Sequence, residues 1–198
     1  MDKHQIIVGN GAAELLYAIC RLPGYTGAFV PAPGFSEYKE ALEASKIPVR
    51  DIFYRPREDD NGKPYFEVPY LALETFAAEL KGQDGRIIVF LGNPNNPDGT
   101  LLDKDHIRTV ASMLKDANSL LVIDESFIDF VGNDPLQDNE YSMRSLVNEF
   151  DNIIVVHSFT KFYAVPGLRI GAAFANETLI TQLQQYIPSS VSYTHLRA

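Results

Sequence analysis

Three short runs, residues 87–91, 120–123 and 153–156, are apolar at every position. A strand with one face in water alternates apolar and polar side chains, so unbroken runs require cover on both faces. The segments around them carry a different period. Ile107, Val110, Ala111 and Leu114 follow helical spacing behind Asp103, a candidate N-cap. The same spacing recurs in Ala12, Leu15, Leu16 and Ile19, where a helix is expected to start near Ala12. It recurs in Tyr38, Ala41, Leu42 and Ser45 behind Ser36, a second candidate cap, and in Leu73, Phe76, Ala77 and Leu80. Met143, Leu146, Val147 and Phe150 predict a further helix, and Leu179, Ile180, Leu183 and Ile187 a closing one. Residues 28–31, 49–54 and 170–174 read as additional strands. The stretch 55–69, rich in Pro, Gly, Asp and Asn, predicts a loop, and 132–140 a polar surface loop. Strands alternating with amphipathic helices predict an α/β fold, with a mostly parallel central sheet and helices on both faces.

Composition narrows the function. The 198 residues are enough for one domain with a sizeable core, and 45 % hydrophobic with 22 % charged residues is ordinary globular usage. The net charge of −9 argues against a nucleic-acid or anionic-membrane partner, which needs a basic footprint. It leaves room for a local pocket that binds one small phosphate. The single cysteine, Cys20, cannot form an internal disulfide and fits a reducing compartment. No apolar run approaches the roughly 18–20 residues of a membrane span, and the first residues lack the apolar stretch of a signal peptide. The expectation is a cytoplasmic protein. Its four histidines show no metal-ligand spacing, so no metal is expected.

In parallel sheets ligands bind at the carboxyl ends of the strands. Four segments follow strands here. Gly9-Asn10-Gly11-Ala12 lies between the apolar Ile6-Ile7-Val8 and a helix, where small residues let backbone N–H groups approach an anion. Asn93-Pro94-Asn95-Asn96-Pro97-Asp98-Gly99 makes a stiff turn that can hold an amide in place. Asp124 ends a buried strand, where its carboxylate needs a partner: a metal, a cationic nitrogen or a buried Arg. Ser158-Phe159-Thr160-Lys161, followed by Pro166-Gly167-Leu168-Arg169, offers hydroxyls and a guanidinium for a phosphate beside a lysine amine. Each segment alone also fits an ordinary turn, core or surface element.

Together, in this order, the four segments resemble the fold-type-I, class I/II aminotransferase superfamily over about residues 6–191. The resemblance implies pyridoxal 5'-phosphate as cofactor. It implies Lys161 as the Schiff-base lysine and Asp124 as partner of the pyridine nitrogen. Asn96 would bond the phenolic oxygen, and Phe35 would stack on the ring. Asn10, Gly11 and Ala12 would cradle the phosphate, with Ser158, Thr160 and Arg169 as its other ligands. Phe127 stands where many members carry a Tyr whose hydroxyl reaches the phenolic oxygen, and a Phe cannot do this.

Asp124-Glu125-Ser126-Phe127-Ile128-Asp129-Phe130, Thr160-Lys161-Phe162-Tyr163 and Pro33-Gly34-Phe35-Ser36-Glu37-Tyr38 are most similar to the L-threonine-O-3-phosphate decarboxylase branch, which serves cobalamin biosynthesis. The related histidinol-phosphate aminotransferases are the alternative. Both imply a phosphorylated amino acid or amine as substrate and a homodimer. The family's N-terminal arm and substrate-gripping small domain have no counterpart in this chain, so residues 1–192 read as the cofactor-binding large domain. Residues 193–198 read as an atypical tail, a truncation or assembly scar. A non-catalytic cofactor-binding fragment is the alternative of another class.

Overall fold

The structure, a computed structural model, describes residues 2–80, 85–132 and 139–188. Part of the expected 132–140 loop and the whole 193–198 tail lie outside the described residues. Seven strands form the main sheet: β1 (Ile6–Gly9), β2 (Tyr25–Ala32), β3 (Val49–Phe53), β6 (Arg86–Gly92), β7 (Leu120–Asp124), β8 (Ile153–Ser158) and β9 (Gly171–Phe174), in the order β1-β9-β8-β7-β6-β2-β3. β4 (Arg55–Glu58) and β5 (Pro64–Glu67) form a separate ribbon. The helices are α1 (Gly11–Cys20), α2 (Glu37–Ala44), α3 (Tyr70–Leu80), α4 (Lys104–Asp116) and α5 (Glu177–Gln184).

The continuous apolar runs do what their pattern requires. Along β6, Ile88 and Phe90 join a core with Leu15, Leu16 and Ile19 of α1, Leu42 of α2 and Leu183 of α5. Ile87, Val89 and Leu91 point the other way, toward Leu73 of α3 and Ile107, Val110 and Leu114 of α4. Successive residues of a strand face opposite sides, so an apolar residue at every position fills two cores. Asp103 caps α4 as expected, its carboxylate accepting from the N–H groups of Asp105 and His106. No described helix is long and apolar enough to cross a membrane.

The sheet is mostly parallel, as expected, with one strand reversed. β2, β3, β6, β7 and β8 are parallel, but β9 runs antiparallel to both β8 and β1. A parallel return needs a crossover, usually a helix. Between Ser158 and Gly171 the chain has only a 3-10 turn, Pro166–Leu168, and so returns antiparallel. Gly171 then pairs with both Ser158 and Gly9.

Four local expectations are corrected. The 55–69 loop contains the β4–β5 hairpin, closed by the Asp59 carboxylate accepting from Asn61 and Lys63 and braced by an Arg57–Glu67 ion pair at 2.9 Å. Pro56 and Pro64 survive in it because a two-stranded ribbon consists only of edges. Ser36 has helical backbone angles and its side chain makes no capping bond. The helix expected over Met143–Phe150 is a 3-10 helix, Arg144–Asn148, because three apolar side chains at i, i+3 and i+4 are satisfied by one tight turn. The closing helix ends at Gln184, before Ile187.

One buried carboxylate ties several of these elements together. Glu125 is fully buried and accepts from Ser142 Oγ at 2.7 Å, from Met143 N and from Asn93 Nδ2 at 3.2 Å, with Arg144 Nε 3.9 Å away. Burial raises its pKa above the ordinary 4.5, an effect that these partners oppose. The folded state thus favours protonated Glu125, and that stability is present below about 4.5 and is lost as pH rises through the raised value. Glu125→Ala leaves three donors without an acceptor and is expected to cost about 3 kcal/mol, whereas Glu125→Gln stays within about 1 kcal/mol. Urea denaturation of both variants from pH 7 down to 4.5 checks this: the wild type should gain on Glu125→Gln as pH falls.

Candidate active site

The carboxyl ends of β6, β7 and β8 lie side by side, with Gly92 level with Asp124 and Asp124 level with Val156. Asp124 is 6 % exposed. Its Oδ1 accepts from the backbone N–H of Ser126 and its Oδ2 from the Tyr38 hydroxyl, both at 2.9 Å. These two bonds make its burial tolerable. Burial, then the neighbouring Asp124, pushes the Tyr38 hydroxyl well above its ordinary range, so it stays a donor. Stacking on Phe90, with ring centroids 5.2 Å apart, holds the phenol in place. A carboxylate oxygen has two lone pairs, so Oδ2 retains room for one more donor.

The reversed strand β9 brings together groups that could hold an anion. Gly171 is packed so tightly under the start of α1 that a Cβ on it would come within 2.6 Å of the Ala12 nitrogen. Gly11 opens that helix with φ +82°, a conformation suited to glycine. A Cβ on Gly11 would stand 3.6 Å from Arg169 Nη2, so the guanidinium lies against the helix N-terminus. The first N–H groups of a helix have no intrahelical partner and carry its positive dipole end. The Asn10 N–H is taken by the Glu14 carboxylate at 2.6 Å, and the Asn10 side chain makes no cap. Across the strand pair, the Ser158 and Thr160 hydroxyls are 2.9 Å apart.

Lys161 is exposed, and its Nζ lies 4.5 Å from the centre of the Phe127 ring, within cation–π range. Phe35 is half-buried and meets Tyr38 edge-on at 5.6 Å. Asn95 joins two turns, its amide donating to the Pro33 carbonyl at 3.0 Å and to Asp98 at 2.8 Å. The adjacent Asn96 is half-buried, and its side chain makes no hydrogen bond among the described residues. Asn93 is buried and spends both ends of its amide on Glu125, the Tyr141 carbonyl and the Leu102 N–H. The asparagines of one motif thus differ: Asn93 and Asn95 hold the fold and Asn96 stays open.

The candidate residues fall into linked groups. Asp124 heads a turn that brings Phe127 under Lys161, while Gly11, Ala12 and Ser158 surround Gly171 and Arg169 lies against Gly11. Sequence reasoning overlooked Tyr38, which helical spacing assigned to the core. Its signal was a hydroxyl on an otherwise apolar face. The set can hold a phosphate (N-terminal amides, two hydroxyls and a guanidinium), a protonated heterocycle (Asp124) and a carbonyl (the Lys161 amine).

The family model for aminotransferase class I and II matches residues 1–198. The chain is 33 % identical over 186 residues to the adenosylcobalamin biosynthesis bifunctional protein CobDQ of Leptospira interrogans, covering 93 % of this chain and 19 % of that protein. It is 32 % identical to the histidinol-phosphate aminotransferase of Thermoanaerobacter pseudethanolicus, covering 90 % of this chain and 45 % of that one. The crystal structure of L-threonine-O-3-phosphate decarboxylase from Porphyromonas gingivalis superposes with a TM-score of 0.67 at 24 % identity, over 94 % of this chain and 49 % of that chain. The chain spans half or less of the length of each of these proteins. With the match running over its whole length, this chain belongs to the aminotransferase class I and II family.

Proposed function

We propose that residues 1–192 form the pyridoxal 5'-phosphate-binding large domain of an enzyme acting on a phosphorylated amino acid, with L-threonine-O-3-phosphate decarboxylation as the reaction. The observation that carries the cofactor assignment is the Arg169 guanidinium set against Gly11 at the start of α1, one strand away from the Ser158–Thr160 hydroxyl pair. That cradle has the donors a phosphate monoester needs, and the open lone pair on Asp124 suits a ring N–H.

When bound, the cofactor supplies an aldehyde that takes up amines and a ring that accepts electron density from the substrate α-carbon. The chain's own groups do the rest. Gly11, Ala12, Ser158, Thr160 and Arg169 bind the phosphate, and Asn10 serves by its place at the helix start. Asp124 Oδ2 holds a proton on the ring nitrogen, and Tyr38 keeps that carboxylate turned toward it. Asn96 donates to the phenolic oxygen, and Phe127, having no hydroxyl, leaves it without a second donor from that position. Phe35 covers one face of the ring. Lys161 carries the nucleophilic amine and moves protons at the α-carbon.

Decarboxylation and transamination differ in which α-carbon bond stands perpendicular to the ring, and substrate-gripping residues decide that. The decarboxylase reading is supported by the Phe127-containing turn and by the relation to a cobalamin biosynthesis protein. A homodimer, and a reducing compartment such as the cytoplasm, fit the same reading; Cys20 is buried with its thiol pushed up to about 12 by desolvation.

Adding pyridoxal 5'-phosphate is expected to give a visible absorbance that borohydride converts into a covalent adduct at Lys161 on peptide mapping. No adduct, or one at another lysine, overturns the cofactor reading. Carbon dioxide release from threonine phosphate, by this chain or a longer polypeptide carrying it, supports the decarboxylase. 2-Oxoglutarate-dependent deamination of histidinol phosphate supports the aminotransferase instead. Cofactor binding with neither reaction supports a non-catalytic binding domain.

Arg169→Gln removes a charged phosphate donor and should weaken cofactor binding about tenfold or more in an equilibrium titration. Tyr38→Phe leaves Asp124 Oδ2 without its donor and should cost about 1–2 kcal/mol in urea denaturation of the cofactor-free protein.

A further inference from the structure

The last ladder pair between β7 and β8 is Asp124 with Val156. Beyond it, the Glu125 N–H still bonds the Val156 carbonyl at 2.7 Å, and then the two chains part. One carries Phe127 and a 3-10 turn over Ile128–Phe130; the other carries Ser158, Thr160 and Lys161. The groups that must meet on one cofactor therefore sit on two segments with no further backbone ladder between them. At the surface, Lys161 over the Phe127 ring and Phe162 edge-on to Phe130 at 5.1 Å bridge this gap, and beneath them a buried polar pair bridges it too. His157 Nε2 lies 3.0 Å from Asp129 Oδ2, with the His157 side chain 2 % exposed and that of Asp129 9 % exposed. Asp129 Oδ2 and His157 Nδ1 are both buried and without a well-aligned hydrogen-bond partner, so the pair stands as a close contact.

Strand alternation explains the placement. Val156 and Ser158 face the α1 side, so His157 points to the opposite side, with Val155. It grips the turn from behind the cradle while Ser158 faces it. The Phe159 ring lies edge-on to the imidazole at 4.6 Å and closes that side. Asp129, Arg144 and Asp124 are the charged groups acting on the ring. Desolvation, the largest influence, outweighs the two carboxylates and lowers the histidine's pKa, which keeps the imidazole neutral. A neutral ring has one hydrogen, and Asp129 calls for it on Nε2.

We propose that His157 and Asp129 are positioning residues: a buried clamp that sets the Lys161 segment against the Asp124 segment. Neither residue touches the cofactor. The inference rests on the pyridoxal-phosphate reading of the site for its purpose, but its geometry can be tested without cofactor. The clamp explains why an imidazole and a carboxylate stand buried together where an apolar pair would fold as well.

The test uses the 198-residue chain with His157→Phe, which keeps a ring but removes the donor, and His157→Gln, whose amide nitrogen can occupy the Nε2 position. Amide hydrogen exchange is followed in the cofactor-free proteins, and pyridoxal 5'-phosphate affinity by titration. His157→Phe should speed exchange about tenfold in residues 125–130 and 158–163 relative to the rest of the sheet, and should raise the cofactor Kd about tenfold. His157→Gln should stay within about threefold of wild type on both measures. Wild-type exchange and affinity in His157→Phe, or equal loss in both variants, overturns the clamp. If the wild type binds no cofactor, the site reading fails, and the exchange data still decide the clamp. Should His157→Phe not fold, nitrogen NMR of the wild-type imidazole decides: a hydrogen on Nε2 whose resonance moves in Asp129→Asn supports the clamp, and one on Nδ1 overturns it.

Discussion

Asp124 and Glu125 leave the buried end of β7 in opposite directions, and the need to satisfy both carboxylates organises everything around them. Asp124 draws in the Tyr38 hydroxyl from α2 and the Ser126 N–H. Glu125 draws in Asn93 from the end of β6 and Ser142 and Met143 from the far side of the polar loop. An unpaired buried charge costs several kcal/mol, so these partners are held by the same energy that would be lost in their absence. The result ties the ends of β6 and β7, next to Asn96 and Phe127, to α2 and to Ser142–Met143. One carboxylate of the pair keeps a lone pair open; the other is closed by four polar neighbours and serves the fold.

A second organising event is the reversal at β9. Because the chain returns antiparallel after Ser158, the loop that begins with Lys161 ends with Arg169 at the same edge of the sheet. A helical crossover to a parallel strand would have carried Arg169 to the opposite end. The reversal also sets Gly171 beneath the first turn of α1, so a glycine is needed there for close approach. Guanidinium, Ser158 and helix N-terminus become neighbours through one change of strand direction.

Much of the architecture was legible because it rests on period. The runs 87–91, 120–123 and 153–156 could be satisfied only by two-sided burial, and the helix at Ile107–Leu114 announced itself by spacing and by its Asp103 cap. Elements without a period were lost. The β4–β5 hairpin is exposed almost throughout and carries two prolines, so neither alternation nor propensity revealed it. The short apolar set from Met143 onward fitted one 3-10 turn as well as an α-helix. At the site, Asp124, Lys161, Asn96 and Arg169 stood out as candidates by residue type and order. Their supporting residues, Tyr38, Ser142, His157 and Asp129, were not.

By itself the sequence determined which segments are strands and helices, that the sheet is buried on both faces, and which chemical groups follow the strand ends. Those properties follow from hydrophobic period and residue identity, which are local. The tertiary structure alone decided the direction of β9, the difference between Asn93 and Asn96, and the partners of the buried carboxylates. Tyr38 and Asp124 are 86 positions apart, and His157 belongs to β8 while Asp129 belongs to the turn after β7. A hydrogen bond depends on distance and angle in space, and no local pattern encodes which distant donor will arrive.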